Sequence, residues 1–348
     1  MNFAENKENQ SNMKRYGKML LLFLCLFLLN GCQSKQEESV YQIPEQQKLV
    51  VYTSHKEEVY GPIVKEFEER TGIFVEVKQG ATLGLFQEIK QNAGEEACDV
   101  MFGGGIENYV SYQDYLEAYK VSEEEMIDPK YRTANHKWTA FSVLPIVFIY
   151  NNKLVYPAAA PRTWEELQTS RWKDKVAFAD PARSGSSYTA LCTMIQASEK
   201  DTQTVLKDFA AVMNGHVSAN SGAVLDEVNS GNRLVGITLE ETALKRIRQG
   251  EAISIIYPTE GTSAVPDAAA LVRGAPHREN AQKFIEFTVS RDVQQILTDE
   301  FCRKPVRMDI IGSDEDSLQD EKLLPYDIVW ASEKEEEILS AWEALQKK

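Results

Sequence analysis

The stretch KLVVYTSHKEEVYGPIVKEFEERTGIFVEVK, Lys48–Lys78, changes its apolar period twice. Lys48–Ser54 is a short apolar run and reads as a buried strand. From His55 to Gly72, Val59, Ile63, Val64 and Phe67 recur at the spacing of one helical face, and Thr71-Gly72 supplies a stop. Ile73–Lys78 returns to a strand. Strand, helix and strand in that order indicate a βαβ unit and a mostly parallel sheet.

The pattern continues along the chain. GATLGLFQEIKQNAG (Gly80–Gly94) is a loop entering a second helix, and CDVMFGGG (Cys98–Gly105) is a third strand ending in three glycines. TAFSVLPIVFIYNN (Thr139–Asn152), rich in β-branched and aromatic residues, is expected to cross out of the first domain. KVAFADP (Lys175–Pro181) begins a new strand, and VLDEVNSGNRLVGITLEE (Val224–Glu241) holds a helix and a strand. AISIIYPTEG (Ala252–Gly261) is expected to cross back, and Pro266–Leu297 reads as a strand and a helix. In EKEEEILSAWEAL (Glu333–Leu345), Ile338, Leu339, Trp342 and Leu345 share one face of a packed amphipathic helix.

The 348 residues are enough for two domains. A net charge of -15 argues against a nucleic-acid partner. It leaves room for a small anion, since local N–H groups outweigh a distant, screened surface. Lys14, Arg15 and Lys18 precede MLLLFLCLFLL (Met19–Leu29), a run too short for a membrane span and typical of a signal-peptide core. The following LNGC resembles a bacterial lipobox, which implies a signal peptide over 1–31, lipidation of Cys32 and an extracytoplasmic, membrane-anchored protein. Residues 32–47 are then a polar tether. Cys98, Cys192 and Cys302 show no C-x-x-C spacing, so no zinc site is expected; a disulfide among them stays open.

FADPARSGSSYTALCTMI (Phe178–Ile195) crowds Arg183, Ser184, Gly185, Ser186 and Ser187 where a strand gives way to a helix. Serines there cap a helix start, and the same N–H groups and dipole favour a bound anion. Enzyme motifs are missing. There is no G-x-S-x-G, the triple glycine fits neither G-x-G-x-x-G nor a P-loop, and His55 beside Ser54 brings no triad with it. Neither catalysis nor a cofactor is expected.

VVYTS, PIVKEFEERTGI, PRTWEEL, ADPARSGSSYTAL, YPTEGT, PDAAALVRGA and NAQKFIEFTVS occur in the order seen in family 1 extracellular solute-binding proteins. The subgroup is the one that binds ferric iron, phosphonates or sugar phosphates, and the resemblance runs from about Lys48 to Asp309. It implies an α/β, two-lobed fold of the type II periplasmic-binding-protein kind, with a ligand cleft between lobes joined by crossing strands. Lobe 1 is then 48–145 plus 258–310, lobe 2 is 146–257, and 311–348 is a C-terminal helical segment packed on the core.

Ligands of open α/β sheets sit outside the carboxyl ends of strands. The polar clusters follow strands: Thr53-Ser54, Gly80–Thr82, Gly103–Gly105 with Gly104 central, Arg183–Ser187, Thr238–Glu240, and Thr259–Ser263 with Gly261 and Thr262. Iron-binding relatives use adjacent tyrosines in the second lobe, whereas TLEETALKRI (Thr238–Ile247) has none, so iron is disfavoured. Likeness to the sugar-phosphate binders puts a phosphate on Ser54, Thr82, Ser186 and Ser187 and on the N–H groups of Ser184–Ser187. Arg183 either adds charge or faces solvent. The same likeness sets His216, Glu240 and Thr238 against sugar hydroxyls. The expected protein is a monomer that captures a phosphorylated solute, foremost a hexose phosphate, for an ABC permease or a membrane histidine kinase. A phosphonate or phosphoglycerate binder is the alternative, and a structural surface lipoprotein is disfavoured.

Overall fold

The computed structural model describes residues 43–93, 98–310 and 323–347. The signal peptide, Cys32, most of the tether, and residues 311–322 of the expected C-terminal segment lie outside the described residues.

β1 (Lys48–Thr53), α1 (Glu57–Thr71) and β2 (Phe74–Gln79) form the βαβ unit, with β1 parallel to β2 from Lys48↔Phe74 to Thr53↔Gln79. Val59, Ile63, Val64 and Phe67 are the buried face of α1. Gly72 ends the helix at φ 69°, a left-handed position where a Cβ is unfavourable. α2 (Thr82–Gln91) leads to β3 (Val100–Gly105), parallel to β1. α3 (Ile106–Ser111), β4 (Leu116–Glu117) and the long β5 (Thr139–Asn151) follow.

Next come α4 (Trp164–Leu167), β6 (Val176–Ala177), α5 (Gly185–Gln196), α6 (Thr202–Met213), α7 (Ser221–Ser230) and β7 (Val235–Leu239). α8 (Glu240–Arg248), β8 (Ile253–Ile256) and β9 (Ala264–Val272) lead to α9 (Arg278–Thr288), α10 (Arg291–Asp299) and β10 (Lys304–Pro305). The described chain ends with α11 (Ile328–Glu333) and α12 (Glu335–Gln346). The single helix expected after β9 is thus two, broken at Val289-Ser290, where Arg307 Nη1 donates to the Val289 carbonyl (3.1 Å).

The strands run β2-β1-β3-β9-β5-β7-β6, with β4 on β9 and with β8 and β10 on β5. β5 belongs to both lobes. Thr139–Pro145 pairs with β9, while Ile146–Tyr150 pairs with β7 and Phe148–Asn151 with β8. The return differs from expectation. Ile253–Ile256 stays paired to β5 in the second lobe, so Tyr257–Ser263 makes the crossing. Two bonds fasten the crossing segments together: Ile146 N donates to Ser263 O (3.1 Å) and Thr262 Oγ1 to Ile146 O (2.8 Å). Pro145 lies opposite Ala264, and Pro266 opposite Val143.

Phe67, Phe102, Phe141 and Phe284 centre the core of the first lobe. Phe148, Trp164, Phe178, Phe209 and Trp342 centre that of the second. Trp342 stacks on Phe209 at 5.6 Å, so α12 completes the second core. The same tail reaches the first lobe through Asn108 Nδ2 to Glu335 Oε1 (2.9 Å), Ser111 Oγ to Ser332 Oγ (2.7 Å) and Tyr326 OH to Glu107 Oε1 (2.7 Å). Cys98, Cys192 and Cys302 are all buried. No helix among the described residues is long and apolar enough to cross a membrane.

Candidate functional site

The strand ends of the two lobes enclose a cleft of about 360 Å³. That is near the lower end of the ~300–1,000 Å³ of small-molecule sites, so the cleft suits one small solute.

At one end stands the start of α5. The Asp180-Pro181 turn is fixed by Arg183 N and Ser184 N donating to Asp180 O (3.0 and 2.9 Å) and by Ala182 N to Asp180 Oδ1 (3.0 Å). It delivers Ser184 as the N-cap, whose Oγ accepts from Ser187 N (3.4 Å) and Ser187 Oγ (3.0 Å). Ser186 Oγ lies 3.1 Å from Ser184 Oγ. The cap and the cleft wall are therefore the same residues. Ser184, Gly185 and Ser186 line the cavity, where the first turn of a helix presents N–H groups without intrahelical acceptors. Thr82 of α2 faces them, since a Cβ on Gly185 would stand 3.8 Å from Thr82 Oγ1. Arg183 is at the rim, 80% exposed, with Nε 3.9 Å from Asp180 Oδ2.

The three glycines ending β3 make room for neighbouring side chains, and Gly104 and Gly105 also line the cleft. A Cβ on Gly103 would meet the His55 ring at 2.6 Å, one on Gly104 would meet Thr82 Oγ1 at 2.5 Å, and one on Gly105 would strike Glu107 Oε2. Gly103 and Gly104 also adopt φ of 91° and 89°, which side-chain-bearing residues rarely take. The run seats His55, Thr82 and Glu107.

The other end is ionic. Asp267, fully buried in β9, accepts from Ser142 N (2.9 Å), Ser142 Oγ (2.7 Å) and Arg303 Nη1 (2.7 Å). Arg303 also donates to Ser142 Oγ (3.0 Å), and its Nη2 is 3.6 Å from Glu241 Oε1 of the second lobe. Lys245 Nζ lies 3.3 Å from Glu241 Oε2 and 3.4 Å from Glu58 Oε1, which extends the ion pairs back to α1. His55 Nε2 is 3.4 Å from Asp267 Oδ2. Burial, with Arg303 and Lys245 adding to it, pushes the His55 pKa well below the usual histidine value, so the ring is neutral. Burial opposes the charge of Glu241, but Arg303 and Lys245 outweigh it and lower its pKa. Burial likewise opposes the charge of Arg303, and Asp267 and Glu241 outweigh it and raise its pKa.

Thr189 on the cleft wall donates through Oγ1 to Glu107 Oε1 (2.8 Å), and one turn further along α5 Thr193 Oγ1 lies 2.6 Å from Ser263 Oγ. Burial raises the pKa of Glu107 despite hydrogen bonds from Tyr326 and Thr189.

Of the residues expected from sequence, Ser54, Thr82, Gly104, Arg183, Ser184 and Ser186 line the cleft. The others lie off its wall. Thr53 Oγ1 donates to Phe102 O (2.8 Å) and accepts from His55 N (3.1 Å), bracing the loop beneath the site. Ser187 is buried against Ser184. His216 Nε2 is held 2.8 Å from Glu227 Oε2 of α7. Thr238 is buried within β7. Glu240 is buried and accepts from Tyr257 OH (2.5 Å), while its neighbour Glu241 lines the cleft. One residue on a helix turns a side chain by about 100°, which is the whole difference between them. Gly261, at φ 103°, offers its carbonyl to Trp164 Nε1 (3.0 Å), and Thr262 is buried in the crossing.

Among the residues that line the cleft, sequence reading passed over Glu58, Glu241, Asp267 and Arg303, with Asn220 and Ser221 at the start of α7, and it weighed His55 only as a catalytic group. Asp267 had a visible signal, an acid inside the apolar run PDAAALV. Arg303 had none within its own segment. No tyrosine is among the described residues lining the cleft, and no group of His, Cys, Asp or Glu among the described residues is arranged to hold a metal.

The family model for bacterial extracellular solute-binding proteins matches residues 99–328. The chain is 24% identical over 296 residues to Iron uptake protein A1 of Synechocystis sp., covering 80% of this chain and 81% of that protein. It shares 28% identity over 191 residues with a candidate 2-aminoethylphosphonate-binding periplasmic protein of Salmonella typhi, 52% of this chain and 55% of that one. The solved structure of the periplasmic binding protein AfuA from Actinobacillus pleuropneumoniae, with exogenous fructose-6-phosphate bound, matches with a TM-score of 0.78 at 20% identity. The match covers 86% of this chain and 98% of that one, and the likeness is one of fold.

Proposed function

The chain belongs to the bacterial extracellular solute-binding proteins, and from that premise we propose that its cleft captures a small phosphorylated solute, a hexose phosphate foremost, for delivery to an ABC permease. The observation that carries this reading is the start of α5, with Ser184 and Ser186 on the cleft wall opposite Thr82 and with Arg183 at the rim. Hydroxyls and helix N-terminal N–H groups converging on one cavity suit the oxygens of a phosphate. Hard ferric iron would want phenolate ligands, and the described lining offers none. A second reading, an aminoalkylphosphonate, draws on the carboxylates of Glu58 and Glu241, which also line the cleft.

A thermal-shift panel of glucose 6-phosphate, fructose 6-phosphate, 2-aminoethylphosphonate, inorganic phosphate and ferric citrate tests the reading, because a ligand of the folded state raises Tm. A hexose phosphate is expected to give the largest shift. A shift with ferric citrate alone defeats the proposal. The protein is further proposed to sit on the outer face of the cytoplasmic membrane through a lipid on Cys32. Cys32→Ala should abolish labelling by a fatty-acid probe, and retained label would remove the anchor.

A further inference from the structure

At the ionic end of the cleft, Glu241 Oε2, with Lys245 Nζ at 3.3 Å, has no hydrogen-bond partner, and the same is true of two further buried polar atoms, His55 Nε2 and Arg303 Nε. Their side chains are on the cleft wall, and the residues are only 5% and 6% exposed. Buried polar groups are seldom left unmatched, so each such atom calls for an explanation. Neither can turn away to find one. Arg303 is clamped by Asp267 and Ser142, and His55 is wedged over Gly103 between the rings of Phe102 (4.6 Å) and Phe141 (5.5 Å). Both stand beside the same Asp267 Oδ2.

The charges around them decide what fits. A second anion would meet Asp267, Glu241 and Glu58, and an ammonium group would meet Arg303 and Lys245. A hydroxyl carries no charge and both donates and accepts. It accepts from Arg303 Nε–H and donates to a nitrogen of the neutral His55 ring or to Glu241. We propose that His55, Arg303 and Glu241 form a hydroxyl-reading subsite, so that the solute is a phosphate monoester of a polyol, with its phosphate at α5 and a hydroxyl at the His55–Arg303 end. The inference rests on the phosphate reading above and assigns sugar recognition to this cluster, away from His216 and Glu240.

Titration calorimetry tests it with glucose 6-phosphate, fructose 6-phosphate and glycerol 3-phosphate against ethyl phosphate, which keeps the phosphate and lacks hydroxyls. The tightest polyol phosphate is expected to exceed ethyl phosphate by about tenfold or more, the size of a hydrogen bond to a charged group. His55→Leu and Glu241→Gln, each shown folded by its thermal transition, should bring that ratio to about threefold or less. Arg303→Lys should do the same; should its buried pairing with Asp267 keep it from folding, the other two variants decide. Equal affinities in the unaltered protein, or an unchanged ratio in both variants, overturn the subsite and leave the phosphate reading standing. Tighter binding of 2-aminoethylphosphonate than of any polyol phosphate overturns it too. Failure to bind any phosphate monoester removes the phosphate reading and the subsite with it.

Discussion

At one end of the cleft, Arg183, Ser184, Gly185 and Ser186 follow one another in the chain. At the other, His55 follows β1, Asp267 lies within β9, Arg303 precedes β10 and Glu241 starts α8 in the second lobe. The first cluster is made by turn and cap chemistry, and each serine has water or a neighbour to fall back on. The second is made by the fold, and its charged members Asp267, Arg303 and Glu241 are buried in the wall and pair with one another. Local construction makes a site that loses affinity by degrees. Long-range construction makes one in which removing a single group strands its partner.

The sharpest way to break this contrast is Asp267→Ala. It leaves Arg303 buried without its carboxylate, and loss of one member of a buried pair costs about 3–5 kcal/mol of stability. Urea unfolding should show that loss, and a change under about 1 kcal/mol would mean the ionic end is not held as described. At the α5 end, Ser186→Ala should leave stability within about 0.5 kcal/mol while weakening a phosphate monoester by about 1–3 kcal/mol in calorimetry. Unchanged affinity would reduce that serine to helix-start polarity. Ser184→Ala should cost about 1 kcal/mol of stability as a lost cap.

A smaller effect is expected from a long-range cluster outside the cleft. Burial lowers the pKa of His277, but its ring bonds to Asp99 (2.9 Å) and Glu45 (3.0 Å) outweigh burial and raise it above 6.5. The folded state therefore favours the cation. Its stabilisation is complete below the ordinary histidine pKa and is lost as pH rises through the raised value. Tm should fall over that window in the unaltered protein and fall less in His277→Gln, and equal slopes would remove the linkage. Least of all, His216→Ala should leave solute affinity unchanged, since His216 pairs with Glu227 off the cleft; a tenfold loss, about 1.4 kcal/mol, would return it to the ligand.

The same distinction governs what could be read beforehand. The βαβ start was legible because Val59, Ile63, Val64 and Phe67 repeat with the helix and Gly72 stops it. The α5 cluster was legible because an Asp-Pro turn, a cap and a helix start are neighbours in sequence. The ionic end was not, because nothing near Arg303 announces that β10 will bring it to Asp267. Glu240 and Glu241 were one position apart, and only the start of α8 chooses between them. Gly103–Gly105 invited a ligand in the sequence; in three dimensions Gly104 and Gly105 line the cleft, and the run also makes room for side chains, which the sequence did not announce.

Pro145 on β5 and Pro266 on β9 give the ribbon between the lobes a guarded edge. Ile146 N donates to Ser263 O, so the alternation of an antiparallel ladder puts Pro145 and Pro266 at its non-bonded sites. The missing N–H of each proline therefore costs the β5–β9 ladder nothing. The absent donor would have pointed outward, away from the partner strand, close to where β5 changes partner from β9 to β7. The backbone that the lobes share thus carries two fewer outward donors for a stray strand to join.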